Sequence, residues 1–319
     1  MEVHQYQENH AAHWDSFCQG SPMSTFLHTR KFLEYHGSRF KDASLIVTEG
    51  EKWIGVMPAA MSPQDITIVI SHPGITYGGI IHQGALRGEK MIDALHLITE
   101  YYADHGIKEF IYKAIPHIYH RSPAEDEIYA LFRLGAQKYR SDLSCTINMG
   151  AKYSLSSRRK RSLKKAQTSG VEVHVGDLFI SDIWKVLQEN LERKHETTPV
   201  HTEVEIKLLK KKFPDNIQFV AGLIDGKVEA GVVLFIFEEV FHAQYICSSD
   251  KGYQVSALDA VFAYCIDNTE KHGASYFDFG TSNEEEGTVL NNGLYQFKSE
   301  FGGGGVSHDF YRLRLNEGK

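Results

Sequence analysis

The sequence of 319 residues lacks several features that would assign its class at once. Its longest apolar run, AGVVLFIF at 230–237, has the length of a β-strand and is shorter than the roughly 18 residues of a membrane-spanning helix. The net charge of −7 excludes a surface that is basic throughout, so we expect no DNA partner. The cysteines are far apart and form no CxxC pair, which favours reduced thiols: Cys18, Cys145, Cys247 and Cys265.

Metal-binding motifs are also missing, although the chain has 17 histidines. There is no HExxH motif, and the short pairs His10/His13 and His117/His120 have no cysteine or carboxylate set at ligand spacing. We therefore expect no metal. The N-terminal segment MEVHQYQENHAAHWD has no apolar core of the kind found in signal peptides. Together with the thiols, this favours a cytoplasmic protein without a membrane span.

What the sequence does have is the composition of an ordinary globular protein. Hydrophobic residues make up 42% and charged residues 24% of the chain. The length allows about two domains, at roughly 100–200 residues for each domain.

Two pairs of segments indicate an internal duplication. The segments 44–61 and 218–237 both alternate apolar residues around a Glu-Gly or Asp-Gly turn, which predicts two hairpins. The segments 91–106 and 256–273 both show helical periodicity and end in His-Gly, 167 residues apart. Each of these helices precedes a predicted strand, at 109–114 or 275–280.

The same offset of 167 residues relates Gly135, after one predicted helix, to Gly302, after another. Each half then ends in an alternating strand, at 139–149 or 307–315. We predict a mixed α/β (α+β) fold of two tandem domains, each a mixed sheet with helices packed on it. The predicted boundary divides the chain into residues 1–150 and 151–319, with a basic helix, RRKRSLKKA, opening the second domain at 158–166.

The duplication singles out Lys298, whose counterpart 167 residues earlier is the apolar Leu131. The surrounding segment predicts a helix with an apolar stripe at Leu290, Leu294, Phe297 and Phe301, beside which the lysine lies. One interpretation is a lysine whose amine reaches solvent along the edge of a buried face. The interpretation we favour is a cation held at the wall of a cleft in one copy of a duplicated domain.

Several motifs resemble those of FemAB-like proteins of the GNAT acyltransferase superfamily and of the Fem-type peptidoglycan-bridge aminoacyltransferases. DFG at 278–280 and NNGLYQFKSEFGG at 291–303 resemble the family's C-terminal signature, and 156–173 resembles the basic helix that opens its second domain. KHETTPVHT at 194–202 and HPGITYGGIIH at 72–82 are similar to segments of FemAB-like proteins. The resemblance implies two GNAT-like domains, with the first a non-catalytic copy that forms a wall of the acceptor cleft.

By this resemblance, the family's Phe-Lys pair falls on Phe297 and Lys298. Phe297 would then contact substrate. Lys298 would stabilise the negative charge that develops when an acyl group moves to an amine, since a tetrahedral oxyanion forms in that step. Tyr295 is a candidate proton donor. Asp278, at the end of a predicted strand, is a candidate for deprotonating the amine or positioning the ligand, and a plain strand-end aspartate is the alternative.

Further candidates line the predicted clefts. Arg193, Lys194 and His201 would reach anionic groups of the acceptor, and Tyr77 would face the cleft from a glycine-rich turn, unless that turn is purely structural. The basic helix offers Arg158, Arg161 and Lys165 to phosphates, and a solvated helix face is the alternative.

The donor is left open between two classes. The GNAT pyrophosphate loop (Q/R)xxGx(G/A) is replaced by SSDKGYQVSALDA, which favours the aminoacyl-tRNA used by Fem-type enzymes. The acidic chain, and the lack of the helical hairpin that Fem-type enzymes insert, favour an acyl-CoA. We expect an N-acyltransferase without a tightly bound cofactor that uses acyl-CoA as co-substrate and acylates a small-molecule or cell-envelope precursor amine. A catalytically inactive ligand-binding scaffold is the alternative from another class.

Overall fold

The computed structural model describes residues 1–195 and 198–315, with the side chains of 194 and 195 left out. The chain forms two compact units. The first consists of Met1–Asp142, Glu285–Thr288 and the segment that begins at Ser307. The second consists of Leu143–Glu284 and Val289–Val306.

The first unit contains the helices and strands that precede residue 142. In chain order these are β1 (Glu2–Gln5), α1 (Ala11–Gln19), α2 (Arg30–Leu33), β2 (Leu45–Glu49), β3 (Lys52–Met57), β4 (Ala60–Met61), β5 (Ile68–Ile70), α3 (Glu89–Asp104), β6 (Glu109–Lys113), α4 (Asp126–Arg133) and the start of β7 (Gln137–Asn148). Short 3-10 helices lie at Glu8–His10, Phe26–His28, Glu34–Arg39 and His117–Tyr119.

The second unit takes up the chain within β7. Its elements are α5 (Ser157–Thr168), β8 (Glu172–Val175), α6 (Ile180–His195), α7 (Glu203–Lys212), β9 (Ile217–Ile224), β10 (Lys227–Ile236), β11 (Val240–Ser248), α8 (Asp250–Val255), α9 (Ala257–Lys271), β12 (Tyr276–Thr281), β13 (Asn283–Glu284), β14 (Val289–Leu290), α10 (Asn292–Ser299) and the first residues of β15 (Gly304–Arg314). Short 3-10 helices lie at Asp177–Phe179 and Glu285–Gly287.

Both units contain mixed sheets. In the first unit, β1, β2 and β3 form an antiparallel sheet, and the order β4–β5–β6–β15 includes one parallel pair, β5 with β6. In the second unit the strand order is β7–β12–β11–β10–β9–β8, and β11 with β12 is the parallel pair. A parallel pair needs a crossover connection, and α8 and α9 supply it between β11 and β12.

Each unit has its own apolar core. In the first, α3 packs Met91, Leu95 and Ile98 into a core that includes Phe110. In the second, α9 contributes Phe262, whose ring lies 4.9 Å from that of Phe279 on β12. Helical periodicity in α3 and α9 and alternation in the strands therefore place the apolar residues on facing surfaces.

Most of the predicted elements are confirmed. Both hairpins form, as β2–β3 and β9–β10, and both helices that end in His-Gly form, as α3 and α9. Gly135 and Gly302, which follow α4 and α10, both have the left-handed backbone that their shared position predicts, with φ of 74° and 102°. The mixed α/β fold class is confirmed. The assignment of residues 1–150 to a non-catalytic copy and 151–319 to a catalytic domain stays a prediction.

The apolar stripe predicted around Lys298 is wrong in two places. Leu290 lies in the short strand β14 and not in the helix, and Leu294 is 37% exposed. The lysine, which was expected beside the stripe, is itself only 2% exposed. Among residues 1–195 and 198–315, no helix is both long enough and apolar enough to cross a membrane.

The first unit yields a stability prediction at the counterpart of Lys298. Leu131 is fully buried in the core, whereas its neighbour Phe132 is 75% exposed. Leu131→Ala should lower the free energy of unfolding by about 2–5 kcal/mol, because it removes buried surface and leaves a cavity. Phe132→Ala is the matched control and should change it by less than about 0.5 kcal/mol. Urea unfolding measures both, and equal effects would show that Leu131 is not a core residue.

Candidate active site

The candidate site lies in the second unit, where the pairing between β11 and β12 ends. The ladder between these strands runs only from Val240–Tyr276 to His242–Asp278. Past this point β11 continues to Ser248 along β10, and β12 continues to Thr281. Carboxyl ends of adjacent parallel strands are common places for ligand sites in open α/β sheets. We call His242, Asp278, Gly280, Thr281 and Lys298 the β12 cluster.

Lys298 is anchored on the backbone of β12. Its Nζ donates hydrogen bonds to the carbonyl oxygens of Gly280 at 2.9 Å and Thr281 at 2.7 Å. Helix α10, which carries the lysine, begins where the Asn291 side chain accepts from the Leu294 N–H at 3.0 Å. The amine therefore turns into the protein, so the interpretation of a lysine reaching solvent is wrong.

Burial alters the protonation of this lysine. Desolvation lowers the pKa of Lys298 to about 8, and the negative charge of Asp278 only partly opposes that change. An ammonium has three N–H donors, and the two carbonyl oxygens accept two of them. At neutral pH the site therefore holds a buried positive charge with one further N–H donor.

Asp278 is fully buried and surrounded by donors. Its Oδ1 accepts hydrogen bonds from the hydroxyl groups of Ser144 and Thr146, the latter at 2.8 Å, and from the Gly280 N–H at 3.3 Å. Its Oδ2 lies 2.7 Å from His242 Nδ1. With these contacts the carboxylate is placed to orient neighbouring groups, and a direct contact with a substrate amine would require one of them to break.

Tyr295 and Lys298 both lie near Cys145. Burial is the main cause that raises the pKa of the Tyr295 hydroxyl, and a smaller contribution comes from Cys145. The hydroxyl therefore stays protonated at neutral pH, as a proton donor must. The Cys145 thiol is fully buried, and burial raises its pKa to about 12, which leaves it unreactive.

Phe297 has a packing position. Its ring lies 5.5 Å from Phe301 and 5.9 Å from Phe262, and the Arg159 guanidinium lies 4.7 Å above it. These contacts fix the rotation of α10 and so direct Lys298 towards β12. We assign Phe297 this positioning role, and its predicted contact with substrate stays a prediction.

Arg159 was not among the residues selected from the sequence. It is 4% exposed, and its guanidinium donates to Asp259 Oδ1 at 2.5 Å and to Glu300 Oε2 at 3.0 Å. The three side chains join α5, α9 and the end of α10. The sequence did contain a signal that Arg159 is buried, because Arg159, Leu163 and Ala166 are spaced so that they lie on one face of α5.

The predicted phosphate-binding residues lie on the opposite face of α5. Arg158, Arg161 and Lys165 are all exposed, and the Arg158 side chain is 63% exposed with Nη1 3.7 Å from Glu300 Oε1. Their exposure agrees with phosphate binding and equally with a solvated helix face. Their role stays a prediction.

The residues predicted to bind the acceptor do not form one group. Arg193 is exposed and forms an ion pair with Asp250. His201 is 5% exposed, and its Nδ1 hydrogen-bonds with the hydroxyl of Tyr245 on β11. The side chain of Lys194 lies outside the described part of the chain.

Tyr77 lies in the first unit and is 1% exposed. Its ring centroid lies 4.4 Å from that of Tyr119, with the planes tilted by 38°, and 5.7 Å from that of His28. The loop around it is tightly packed, since a Cβ on Gly78 would lie 1.9 Å from the Ser71 carbonyl oxygen. The structure thus gives this tyrosine the structural role that was the alternative to substrate binding.

The turn after β11, where a GNAT pyrophosphate loop would lie, is occupied by its own side chains. Ser249 Oγ accepts from the Gly252 N–H at 2.9 Å and donates to the Glu229 carboxylate. Asp250 adds a second carboxylate at the start of α8. These acidic groups make the turn unfavourable for a pyrophosphate.

Comparison with known proteins assigns the family of this site. Residues 154–298 match the family model described as an acetyltransferase (GNAT) domain. The segment that carries the candidate site therefore belongs to the GNAT acetyltransferase domain family. A search of curated protein sequences found no match for this chain.

Solved structures show the fold over the whole chain. The chain is similar to FemX, at 11% identity and a TM-score of 0.70, over 99% of this chain and 98% of that one. It is similar to L-PGS from Bacillus licheniformis, at 13% identity and a TM-score of 0.63, over 98% and 94% of the two chains. It is also similar to a tandem GNAT protein from the clavulanic acid biosynthesis pathway, at 8% identity and a TM-score of 0.53, over 100% and 99%. The resemblance to FemAB-like GNAT proteins and the tandem GNAT-like fold are confirmed.

The buried arginine gives a prediction about stability. Arg159→Met should lower the free energy of unfolding by about 3–5 kcal/mol, because it leaves the Asp259 and Glu300 carboxylates without their buried partner. Arg158→Met is the matched control on the exposed face and should change it by less than about 0.5 kcal/mol. Urea unfolding of both variants tests this, and similar losses would contradict a clamp specific to Arg159.

Lys298 gives a prediction about the pH dependence of stability. Its pKa of about 8 in the folded state lies below the ordinary value of 10.5, so between these pH values the unfolded chain binds more protons. This residue therefore makes the stability of the native sequence rise as the pH increases from about 8 to 10. Lys298→Met should lack that rise, and the two stability curves should diverge by on the order of 1–3 kcal/mol. Urea unfolding at several pH values measures these curves, and the exposed Lys160→Met is the control. Parallel curves for the native protein, Lys298→Met and Lys160→Met would contradict the prediction.

Proposed function

We propose that the acyltransferase moves an acyl group from an activated ester or thioester to an amine, with Lys298 stabilising the oxyanion. The observation that carries the proposal is the buried ammonium of Lys298, held by two carbonyl oxygens at the end of β12 with one further N–H donor. Charge that develops in the transition state is stabilised most strongly by a donor that is fixed beforehand and shielded from water.

The remaining steps of the acyl transfer use groups that lie near Lys298. The amine lone pair attacks the carbonyl carbon and the carbonyl oxygen becomes an oxyanion beside Lys298 Nζ. The nitrogen then loses one proton to a base, and collapse of the intermediate breaks the bond to the donor. Tyr295, protonated at neutral pH, is the candidate that returns a proton to the leaving group. We propose that the acceptor is an amine of a small molecule or of a cell-envelope precursor, as the resemblance to Fem-type enzymes implies.

We propose acyl-CoA as the donor, as the breadth of the GNAT superfamily suggests. One observation favours aminoacyl-tRNA as a second candidate: the turn after β11 carries Asp250, and its Ser249 hydroxyl donates to the Glu229 carboxylate of β10, so the turn is acidic. The exposed basic face of α5 supports the same candidate, because its arginine and lysine side chains are open to a polyanion.

A ligand-shift screen decides between the donors. Acetyl-CoA, longer acyl-CoAs and charged tRNA are each added to the intact chain, and the melting temperature is followed. A true donor stabilises the folded state by about 2.7 kcal/mol at one hundred times its Kd. Stabilisation by CoA species, followed by amine acylation, supports the first donor. Stabilisation by charged tRNA alone selects the second, and transfer from neither would overturn the proposed activity and leave a ligand-binding scaffold.

Replacement of the lysine tests the catalytic role. With the donor that the screen identifies, Lys298→Met should lower the transfer rate by about 10²–10³-fold, because one oxyanion donor is lost. Lys160→Met, on the exposed face of α5, should leave the rate unchanged. Circular dichroism confirms that both variants fold. A folded Lys298→Met variant with the native rate would refute the role of this lysine.

A further inference from the structure

His242 is the third titratable group in the β12 cluster, after Asp278 and Lys298. It lies on β11 at the last residue pair of the parallel ladder, directly opposite Asp278 on β12. The side chain is 9% exposed, and its Nδ1 lies 2.7 Å from Asp278 Oδ2. The register of β11 against β12 therefore places an imidazole and a carboxylate side by side where the strands cease to pair.

The surroundings of Asp278 fix which nitrogen of His242 carries a proton. The Oδ1 atom accepts from two hydroxyl groups and a backbone N–H. A carboxylate that accepts from these three donors makes Nδ1 of His242 the donor in the contact with Oδ2. In the neutral imidazole, Nε2 is then the unprotonated, basic nitrogen.

Lys298 and His242 converge on the same residue of β12. Lys298 Nζ binds the Gly280 carbonyl oxygen at 2.9 Å, and a Cβ built on Gly280 would lie 3.4 Å from His242 Cε1. Gly280 has φ of 77°, which turns the backbone so that its carbonyl meets the lysine. The ammonium that would stabilise the oxyanion and the imidazole that would deprotonate the amine thus both lie beside Gly280.

We propose that His242 is the general base of the transfer reaction and that Asp278 is the positioning residue that orients it. The inference rests on the proposed function. As the amine attacks the acyl carbon, a C–N bond forms and the N–H proton moves to His242 Nε2. As the bond from the acyl carbon to sulfur or oxygen of the donor breaks, the leaving group takes a proton from the imidazolium directly, or from Tyr295, which the imidazolium then reprotonates. Protons and charges then balance over one turnover.

This assignment replaces the earlier candidate base. Asp278 is fully buried, whereas the His242 side chain keeps 9% of its surface exposed. A general base oriented by a buried carboxylate is the arrangement that lets a histidine accept a proton at one nitrogen while the other stays bound.

The experiment uses two variants and one control. His242→Asn keeps an N–H donor near the position of Nδ1 and removes the base, so the contact with Asp278 persists. Asp278→Asn keeps the size of the carboxyl group and removes the charge that fixes the tautomer. His272→Asn, at the exposed end of α9, is the matched histidine control.

Transfer rates are measured from pH 6 to 9.5 with the donor found in the ligand screen. We expect His242→Asn to lose about 10²–10⁴-fold near pH 7 and less near pH 9, since hydroxide replaces the base at high pH. Asp278→Asn should lose at least tenfold, and His272→Asn should match the native protein. The charged groups that also face this site, Lys298 from α10 and Asp278 from β12, are unchanged in His242→Asn, so its altered profile reports His242.

A second readout needs no substrate. The ¹⁵N NMR spectrum of the histidine rings at pH 8 should show His242 protonated at Nδ1, with the signal assigned by its loss in His242→Asn. Protonation at Nε2 instead, or a folded His242→Asn variant that transfers within threefold of the native rate, would overturn the proposal. If the native protein transfers from no donor, the proposed function fails and the base assignment with it. If the native protein and His242→Asn transfer alike, only the base assignment fails.

Discussion

The candidate site depends on one interaction, the pair of hydrogen bonds from Lys298 Nζ to the carbonyl oxygens of Gly280 and Thr281. An ammonium that is 2% exposed is costly to bury, and the pKa of about 8 reflects that cost. The carbonyl dipoles offset part of the desolvation and hold the amine at the end of β12. Arg159, whose guanidinium lies over the Phe297 ring and donates to Glu300, helps to fix α10 in this orientation.

Equivalent helices in the two halves of the duplication carry residues with different roles. In the first unit the helix α4 contributes Leu131 to an apolar core, and in the second unit α10 contributes Lys298 to a polar cluster. Substitution of a leucine by a lysine at a core position is tolerated only where acceptors replace the lost apolar contacts. The carbonyl oxygens of Gly280 and Thr281, beyond the end of the β11–β12 ladder, supply these acceptors.

Periodicity and the repeat predicted the elements well, because hairpin turns, helix stops and alternating strands are local features. The site was less accessible from the sequence. Arg159 lay among five other basic residues, and only its position on the buried face of α5 separates it from Arg158. His242 and Asp278 are 36 residues apart in sequence. Their pairing depends on the register of β11 against β12, and no local sequence pattern predicts that register.

The central claim, that Lys298 is a buried ammonium poised to meet an oxyanion, is tested most directly by its own titration. NMR of protein labelled with ¹⁵N at the lysine Nζ atoms follows this residue with and without a tetrahedral phosphonate analogue of the acyl-transfer intermediate. The account predicts a pKa of about 8 in the free protein and a higher pKa once the anionic analogue binds. A lysine that titrates near 10.5 in the free protein, or one that is unaffected by a bound analogue, would contradict it.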